Sequence, residues 1–204
     1  MSSKAVAQLR QIDPVLAGVI DHVGPYALKR RTEGTHFAFV ARAIVYQQLS
    51  GKAAGTIHRR FQSLFEGGFP MPAQLVVLDD EALRSVGLSR QKIGYLRDLA
   101  ARCDRGDVPI ETVHALDDDA VIRALTAVKG VGRWTAQMFL MFRLGRLDVL
   151  PDADLGIQKA IMRAYSMRSM PSPERVLRVG AKWAPYRTVA SWYLWRSLDT
   201  DAQI

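Results

Sequence analysis

The sequence predicts an all-α protein. Apolar residues recur at helical spacing along most of the 204-residue chain, and glycine and proline mark the breaks between these stretches. The one stretch rich in β-branched residues, LVV at 75–77, is too short to indicate a sheet. We therefore expect about ten helices joined by short loops.

The first clear helices are predicted from the apolar pattern of residues 36–65. In HFAFVARAIVYQQLS (36–50), apolar residues fall on one helical face, and the same pattern resumes after Gly51. Two glycines and two prolines in EGGFPMP (66–72) end the second helix. The face of the first helix that we expect to be buried consists of Phe37, Val40, Ala41, Ile44 and Val45.

The later helices are predicted from residues that start and stop helices. A short helix lies between 79 and 86, and a longer one begins after a Ser89 cap and ends at Gly106. Aspartates at 117–119 begin the next helix. Ser172-Pro173 begins another, with serine as the N-cap and proline in the first turn.

The charge balance is compatible with a polyanionic partner, although many basic proteins have no such partner. Lys and Arg number 28 against 20 Asp and Glu, which gives a formal net charge of +8 at pH 7. Nucleic acid is the partner that such an excess most often serves, because Lys and Arg neutralise its phosphates. Hydrophobic residues make up 49% of the chain, which is enough to bury a core and argues against disorder.

The cysteine and histidine content excludes several kinds of site. Cys103 is the only cysteine, so an intramolecular disulfide, a thiolate-built zinc site and a four-cysteine iron–sulfur cluster are all excluded. The four histidines show no ligand spacing, and we assign no metal. The start of the chain lacks a signal-peptide pattern, and no apolar run approaches the roughly 20 residues that cross a bilayer. We expect a cytoplasmic protein, associated with the nucleoid if bacterial, without a membrane partner.

The segment LTAVKGVGRWTA (125–136) predicts a hairpin that binds phosphate. Gly130 and Gly132 allow positive φ and let the backbone approach a ligand. The start of the following helix has unpaired N–H groups and a partial positive charge, which suit a phosphate oxygen. Lys129 and Arg133 flank that position. Spacing alone fits a plain corner between two helices, with glycine as the C-cap, equally well.

An aspartate follows in LDVLPDADLG (147–156). Asp154 lies at the expected start of the helix that carries Ile157 and Ile161, where the helix N-terminus stabilises a carboxylate. Taken alone, an aspartate in this context is most often an N-cap.

The hairpin and the aspartate together resemble the helix-hairpin-helix base excision DNA glycosylases, over about residues 37–198. The resemblance implies a two-lobed helical fold, with the hairpin at about 121–144 and a cleft between the lobes. It implies a monomer that acts on double-stranded DNA containing damaged bases, with Asp154 as the catalytic residue and Asp152 as the alternative. We expect residues 1–204 to form one such module, without a separate N-terminal domain.

Further segments narrow the resemblance to the 3-methyladenine DNA glycosylase II family. It implies that Trp134 and Trp195 lie in the base pocket and that Gln48 fills the gap left by the flipped nucleotide. Met138, one turn from Trp134 on the same helix face, is expected to line the same pocket. The matching segments are YQQLSGKAA (46–54), GRWTA (132–136), DVLPDADLG (148–156), PYR (185–187) and SWYLWRS (191–197).

The resemblance also predicts how the protein contacts DNA. The hairpin residues expected to do so are Lys129, Gly130, Gly132, Arg133 and Thr135. Other basic side chains that we expect to contact the DNA backbone are Arg59, Arg60, Lys92 and Arg143. Gln47, at a helix end, is expected to face solvent. Arg187 either contacts a phosphate or holds an acidic neighbour such as Asp154, and the sequence leaves both open.

The expected reaction is removal of alkylated purines by hydrolysis. Relatives that also cut the strand carry a lysine where this chain has Trp134, and tryptophan cannot form the required imine, so no lyase activity is expected. A positively charged alkylpurine leaves without a proton, and an indole face favours such a cation by roughly 0.5–2 kcal/mol. Asp154 would stabilise the sugar cation, orient a water, or both.

Two other interpretations remain open at this stage. One is a non-catalytic DNA-binding protein that uses the same hairpin, and the other is a glycosylase for another lesion, such as a mismatched or deaminated base. No cofactor is expected, although a monovalent cation held by hairpin carbonyls is compatible with this motif.

Overall fold

The computed structural model describes residues 2–200, and this part of the chain is all-helical, as predicted. It contains twelve α-helices and no strand. The chain forms two compact units: a central unit of residues 31–143, and a terminal unit made of residues 2–30 and 144–200. Among the described residues, no helix is long and apolar enough to span a membrane.

The central unit is built from seven of these helices. A π-helix, Phe139–Leu144, continues directly from the last of them. In chain order the helices are α3 (His36–Tyr46), α4 (Gly51–Gln62), α5 (Pro72–Val77), α6 (Asp80–Ser85), α7 (Arg90–Asp104), α8 (Asp118–Thr126) and α9 (Arg133–Met138).

The predicted helix faces and caps of the central unit are confirmed. All five apolar residues named for the first helix are buried in α3. Ser89 caps α7 and Asp117 caps α8, each accepting a hydrogen bond from a backbone amide of the first turn. The LVV stretch lies in α5, where the Arg97 guanidinium donates to the carbonyls at the C-terminal end of that helix.

Arg143 is a buried structural residue of the central unit, not a DNA contact. Its guanidinium donates to the carbonyls of Arg31 and Glu33, at 2.8 and 2.9 Å, and to that of Gly34. Its Nε donates to Nδ1 of His36 at 2.9 Å. Burial, and then the charge of Arg143, lower the pKa of His36. The expectation that Arg143 contacts phosphate is therefore wrong, because its donors hold the segment before α3.

The terminal unit combines the two ends of the described chain. Its helices are α1 (Ser2–Ile12), α2 (Pro14–Val23), α10 (Leu155–Ala164), α11 (Pro173–Gly180) and α12 (Arg187–Thr200). Ser172 caps α11 and Pro173 occupies its first turn, as predicted. The core of this unit joins residues from both ends, including Leu9, Leu16, Ile157, Ile161, Trp183, Val189, Tyr193 and Leu194.

Asp13 is a fully buried carboxylate that connects the two ends of the terminal unit. Its Oδ1 caps α2 by accepting from the amides of Val15 and Leu16, at 3.1 and 3.2 Å. Its Oδ2 accepts from Nε1 of Trp183 at 2.8 Å, from the Tyr165 hydroxyl and from Nζ of Lys182 at 3.0 Å. Burial alone raises the pKa of Asp13, but these donors together lower it below its ordinary value of 3.8.

We expect Asp13→Asn to lower the free energy of unfolding by about 2–4 kcal/mol. The side-chain NH₂ group of asparagine would face the donors that Asp13 accepts from, so a buried donor would lose its acceptor. Urea unfolding followed by circular dichroism measures the change. The matched control is Asp21→Asn, which breaks the exposed ion pair with Arg10 and should change stability by less than about 1 kcal/mol. Equal effects of the two substitutions would contradict the role assigned to Asp13.

The pH dependence of stability provides a second measurement on the same residue. Because the folded-state pKa of Asp13 lies below 3.8, its stabilising contribution is complete above that pH. The contribution is lost as the pH falls through the folded-state pKa. The Asn variant should therefore show a smaller loss of stability on acidification than the unsubstituted protein.

Candidate active site

The hairpin between α8 and α9 uses its two glycines differently. Gly130 has φ +78°, and a Cβ placed on it would lie 2.2 Å from the ring of Tyr95. Gly132 is the N-cap of α9 with φ −92° and ψ 171°, an extended backbone that any residue adopts. A Cβ on Gly132 would meet no atom within 4 Å. Gly130 is therefore required by the fold, whereas Gly132 presents open backbone on an exposed surface.

Two side chains that the sequence did not single out as supports hold the hairpin. Oδ2 of Asp98 accepts from the backbone amide of Lys129 at 2.8 Å and from Nε of Arg102 at 2.9 Å. Burial raises the pKa of Asp98, but these two donors lower it by more. Nε2 of Gln47 donates to the carbonyl of Gly130 at 2.8 Å. The expectation that Gln47 faces solvent is therefore wrong: it is partly buried and bound to the hairpin.

A cavity of about 870 Å³ lies within the central unit beside the hairpin. The predicted pocket residues Trp134 and Met138 both line it, and Trp134 is half exposed. Thr135 lines it too and is largely buried. Gln48 lies at the rim with φ +55°, a left-handed conformation that is uncommon outside glycine.

The charged groups lining this cavity are cations. The guanidinium carbon of Arg42 lies 3.7 Å from the ring centroid of Tyr46, and the ring of Tyr46 packs edge-on against His58. Burial lowers the pKa of Arg42, and the charge of Arg31 lowers it further. Burial and these two arginines lower the pKa of His58 to about 4, which makes its imidazole neutral at pH 7. No carboxylate is among the described residues that line the cavity.

Asp154 lies in the terminal unit as the N-cap of α10, as the sequence predicts. Its Oδ1 accepts from the backbone amide of Ile157 at 2.9 Å and from Nε1 of Trp195 at 2.8 Å. A Cβ on Gly156 would lie 3.0 Å from both that oxygen and Cδ1 of Trp195, so glycine leaves room for the indole. The carboxylate is thereby fixed in one orientation by two donors.

The family follows from the comparison of the sequence. Residues 41–185 match the model of the HhH-GPD superfamily, described as base excision DNA repair proteins. The chain belongs to the HhH-GPD superfamily of base excision DNA repair proteins. DNA-3-methyladenine glycosylase 1 of Schizosaccharomyces pombe is 35% identical over 198 residues, covering 96% of this chain and 87% of that relative.

Solved structures of HhH-GPD proteins share this fold. The 3-methyladenine DNA glycosylase of Schizosaccharomyces pombe, in complex with abasic DNA, matches with a TM-score of 0.84 and 36% identity, over 95% of each chain. DNA-3-methyladenine glycosidase from Bacillus halodurans matches with a TM-score of 0.87 and 38% identity, over 98% of this chain and 91% of the other. The fold class and the family predicted from the sequence are confirmed.

Other residues of this HhH-GPD chain differ from expectation. Of the two roles left open for Arg187, the structure shows the pairing with an acidic neighbour, Asp148: Nε and Nη2 donate to its two oxygens at 2.7 and 2.8 Å. Lys92 was expected at DNA, yet its Nζ donates to the carbonyl of Val45 at 2.7 Å, and burial lowers its pKa. Within the described residues, no group of three or more His, Cys, Asp and Glu could hold a metal ion.

We expect alanine at the two hairpin glycines to have opposite consequences. Gly130→Ala should lower the free energy of unfolding by at least about 1 kcal/mol, because alanine disfavours positive φ and its Cβ meets Tyr95. Gly132→Ala should leave stability within about 0.5 kcal/mol of the original value but weaken DNA binding, if its open backbone contacts phosphate. Chemical unfolding and fluorescence anisotropy with duplex DNA measure the two quantities. A destabilised Gly132→Ala would contradict this distinction.

Proposed function

We propose that this protein removes alkylated purines such as 3-methyladenine and 7-methylguanine from double-stranded DNA, as a monofunctional glycosylase of base excision repair. The observation that carries the proposal is the carboxylate of Asp154, oriented by Ile157 and Trp195 at the start of α10. Relatives of this chain that are named as 3-methyladenine DNA glycosylases, one of them solved in complex with abasic DNA, support the same substrate class.

In the proposed reaction, the damaged nucleotide first leaves the base stack, because its glycosidic bond is inaccessible inside the duplex. The bond between C1′ and the purine nitrogen then breaks, and its electron pair goes to the purine. A cationic alkylpurine becomes neutral in this step and needs no proton. A water adds to C1′ and releases a proton, which leaves an abasic site.

Asp154 acts in this proposal by stabilising the positive charge that develops on the sugar. A carboxylate held by the Ile157 amide and the Trp195 indole does not need to reorient as the charge forms, and such preorganisation is the most effective form of electrostatic stabilisation. Of the two roles that the sequence left open, we propose charge stabilisation over the orientation of water. The same oxygen also caps α10, so the structural and catalytic roles coincide.

Trp134, Met138 and Trp195 are proposed to contact the flipped base. Indole faces bind a cationic ring more tightly than a neutral one. Trp134 is half exposed in the cavity of the central unit, which is unusual for so large an apolar side chain without a binding role. Because no lysine occupies position 134, hydrolysis is expected without strand cleavage.

The hairpin and Gln48 are proposed to hold the DNA. Lys129 and Arg133 supply positive charge beside the open backbone of Gly132, while Gly130 and Thr135 contribute main-chain groups. Contacts of this kind position DNA without reading its sequence. Gln48 is exposed and is proposed to fill the space of the flipped nucleotide. We propose that the protein acts as a monomer.

We expect Asp154→Asn to reduce release of 3-methyladenine and 7-methylguanine from methylated duplex DNA by about 100-fold or more, because a neutral amide cannot stabilise the sugar cation. Asparagine is as good an N-cap as aspartate, so the fold and DNA binding should persist. Chromatography of the released bases measures the effect, with Asp152→Asn as the matched control. If neither the original protein nor the variants release a base, the result favours a non-catalytic DNA-binding protein.

A second candidate substrate is a neutral deaminated purine, and the charge of the cavity favours it. A guanidinium such as that of Arg42 donates to a 6-oxo group, and no carboxylate lines the described cavity to attract a cation. Under this alternative, hypoxanthine is released faster than 3-methyladenine, and Arg42→Met lowers hypoxanthine release by roughly 10-fold or more. Release of 3-methyladenine that is fast and unaffected by Arg42→Met supports the first proposal. A panel of duplexes with single lesions distinguishes the two.

A further inference from the structure

Two loops of the central unit carry the residues proposed to engage DNA. The plug loop, residues 47–50, connects α3 to α4 and contains Gln48. The hairpin loop, residues 127–132, connects α8 to α9 and contains Gly130 and Gly132. About 80 residues of sequence separate them, yet one side-chain hydrogen bond joins them: Nε2 of Gln47 donates to the Gly130 carbonyl at 2.8 Å.

The two neighbouring glutamines of the plug loop are used differently. Gln47 is partly buried and bound to the hairpin, whereas Gln48 is exposed and carries positive φ. Left-handed backbone at a non-glycine residue is unfavourable, so surrounding contacts must hold it. Gln47 is the adjacent residue with such a contact, and its bond places Gln48 at a set position relative to the hairpin.

One row of side chains on α7 supports the hairpin loop and the end of α3 that leads into the plug loop. Lys92, Tyr95 and Asp98 are spaced three residues apart and lie on one side of the helix. Nζ of Lys92 holds the carbonyl of Val45 at the end of α3, and the ring of Tyr95 lies against Gly130. Asp98 accepts from the amide of Lys129. The helix thus anchors the hairpin loop and the end of α3 that precedes the plug loop, and Gln47 connects the two loops directly.

We propose that Gln47 is a positioning residue that couples the DNA grip of the hairpin loop to the placement of Gln48. The inference rests on the proposed function, in which the hairpin holds the DNA backbone and Gln48 fills the gap in the stack. Gln47 itself contacts no reacting atom. Its hydrogen bond to Gly130 orders the two loops, and the preference for DNA with a missing base depends on that same hydrogen bond.

The substitution Gln47→Glu tests this coupling, because glutamate has the same shape but its carboxylate cannot donate to the Gly130 carbonyl. Binding is measured by fluorescence anisotropy on two duplexes, one undamaged and one with a stable abasic-site analogue. At about pH 7.5, we expect the variant to bind the abasic duplex about 10-fold more weakly relative to undamaged DNA than the original protein does.

Acidification gives a readout that a merely structural role would not produce. Protonated glutamate regains a donor, so lowering the pH to about 5 should restore part of the abasic preference of Gln47→Glu. Gln47→Leu, which has no donor at any pH, should show no recovery. Parallel titration of the original protein corrects for the titratable groups that line the cavity, namely Arg31, Arg42, Tyr46, Lys92 and Tyr95.

Gln62→Glu is the matched control for loss of an amide donor. Gln62 also donates from Nε2 to a glycine carbonyl, that of Gly68 at 3.0 Å, and it lies outside the two loops. We expect it to change stability about as much as Gln47→Glu but to retain the full abasic preference. The two stabilities are compared by urea unfolding, so that loss of fold is separated from loss of coupling.

The outcomes are distinguishable. An abasic preference in Gln47→Glu equal to that of the original protein at about pH 7.5 would overturn the coupling while leaving the proposed function intact. Loss of the preference in Gln62→Glu as well would assign the effect to general destabilisation and overturn the coupling too. Failure of the original protein to prefer the abasic duplex would overturn damage recognition itself, and this inference with it.

Discussion

Backbone amides at three critical points of this protein are bound by aspartate side chains: Asp13 at the start of α2, Asp154 at the start of α10 and Asp98 at the hairpin. Each of these points is a place where the chain leaves regular structure and exposes N–H groups without a helical partner. A carboxylate satisfies such groups better than a neutral acceptor, because the hydrogen bond is charge-assisted. The positions of α2, the hairpin and the proposed catalytic residue all depend on this one kind of interaction, in which an aspartate accepts from backbone amides.

The surroundings of each carboxylate determine what else it can do. Asp13 is fully buried, and every donor around it serves the packing of the terminal unit. Asp98 pairs with Arg102 and accepts from the Lys129 amide, so it supports the hairpin loop. Asp154 is only partly buried, and its cap is reinforced by the Trp195 indole. A cap that keeps its charge near solvent is suited to stabilise a transient cation.

Local sequence signals predicted much of this structure. The buried face of α3 and the caps Ser89, Asp117, Ser172 and Asp154 all follow from residues within a few positions of one another. These features depend on helix periodicity and on hydrogen bonds across one turn, which the sequence displays directly. The family resemblance added the hairpin and its neighbourhood, including the meeting of Trp134 and Met138 in one cavity.

The features that sequence missed involve partners distant in the chain. No neighbouring residue in the sequence indicates that the Gln47 amide donates to the Gly130 carbonyl. Likewise, no residue near Arg143 indicates that its guanidinium donates to carbonyls of the segment before α3. The two hairpin glycines look equivalent in sequence, but only Gly130 faces Tyr95. A paired role for Arg187 was one of two options, and the fold selects Asp148 as its partner.

Several departures from local preference lie beside the residues proposed to act on DNA. Gln48 has unfavourable backbone, and Leu49, Trp134 and Leu155 expose 38%, 50% and 73% of their surface. The positive φ of Gln48 is strained, and an apolar side chain that stays exposed contributes nothing to the stability of the fold. Such features are expected where a ligand, not the fold, provides the compensating contacts. Their positions next to Gln47, Gly132 and Asp154 are consistent with the proposed opening of a DNA stack.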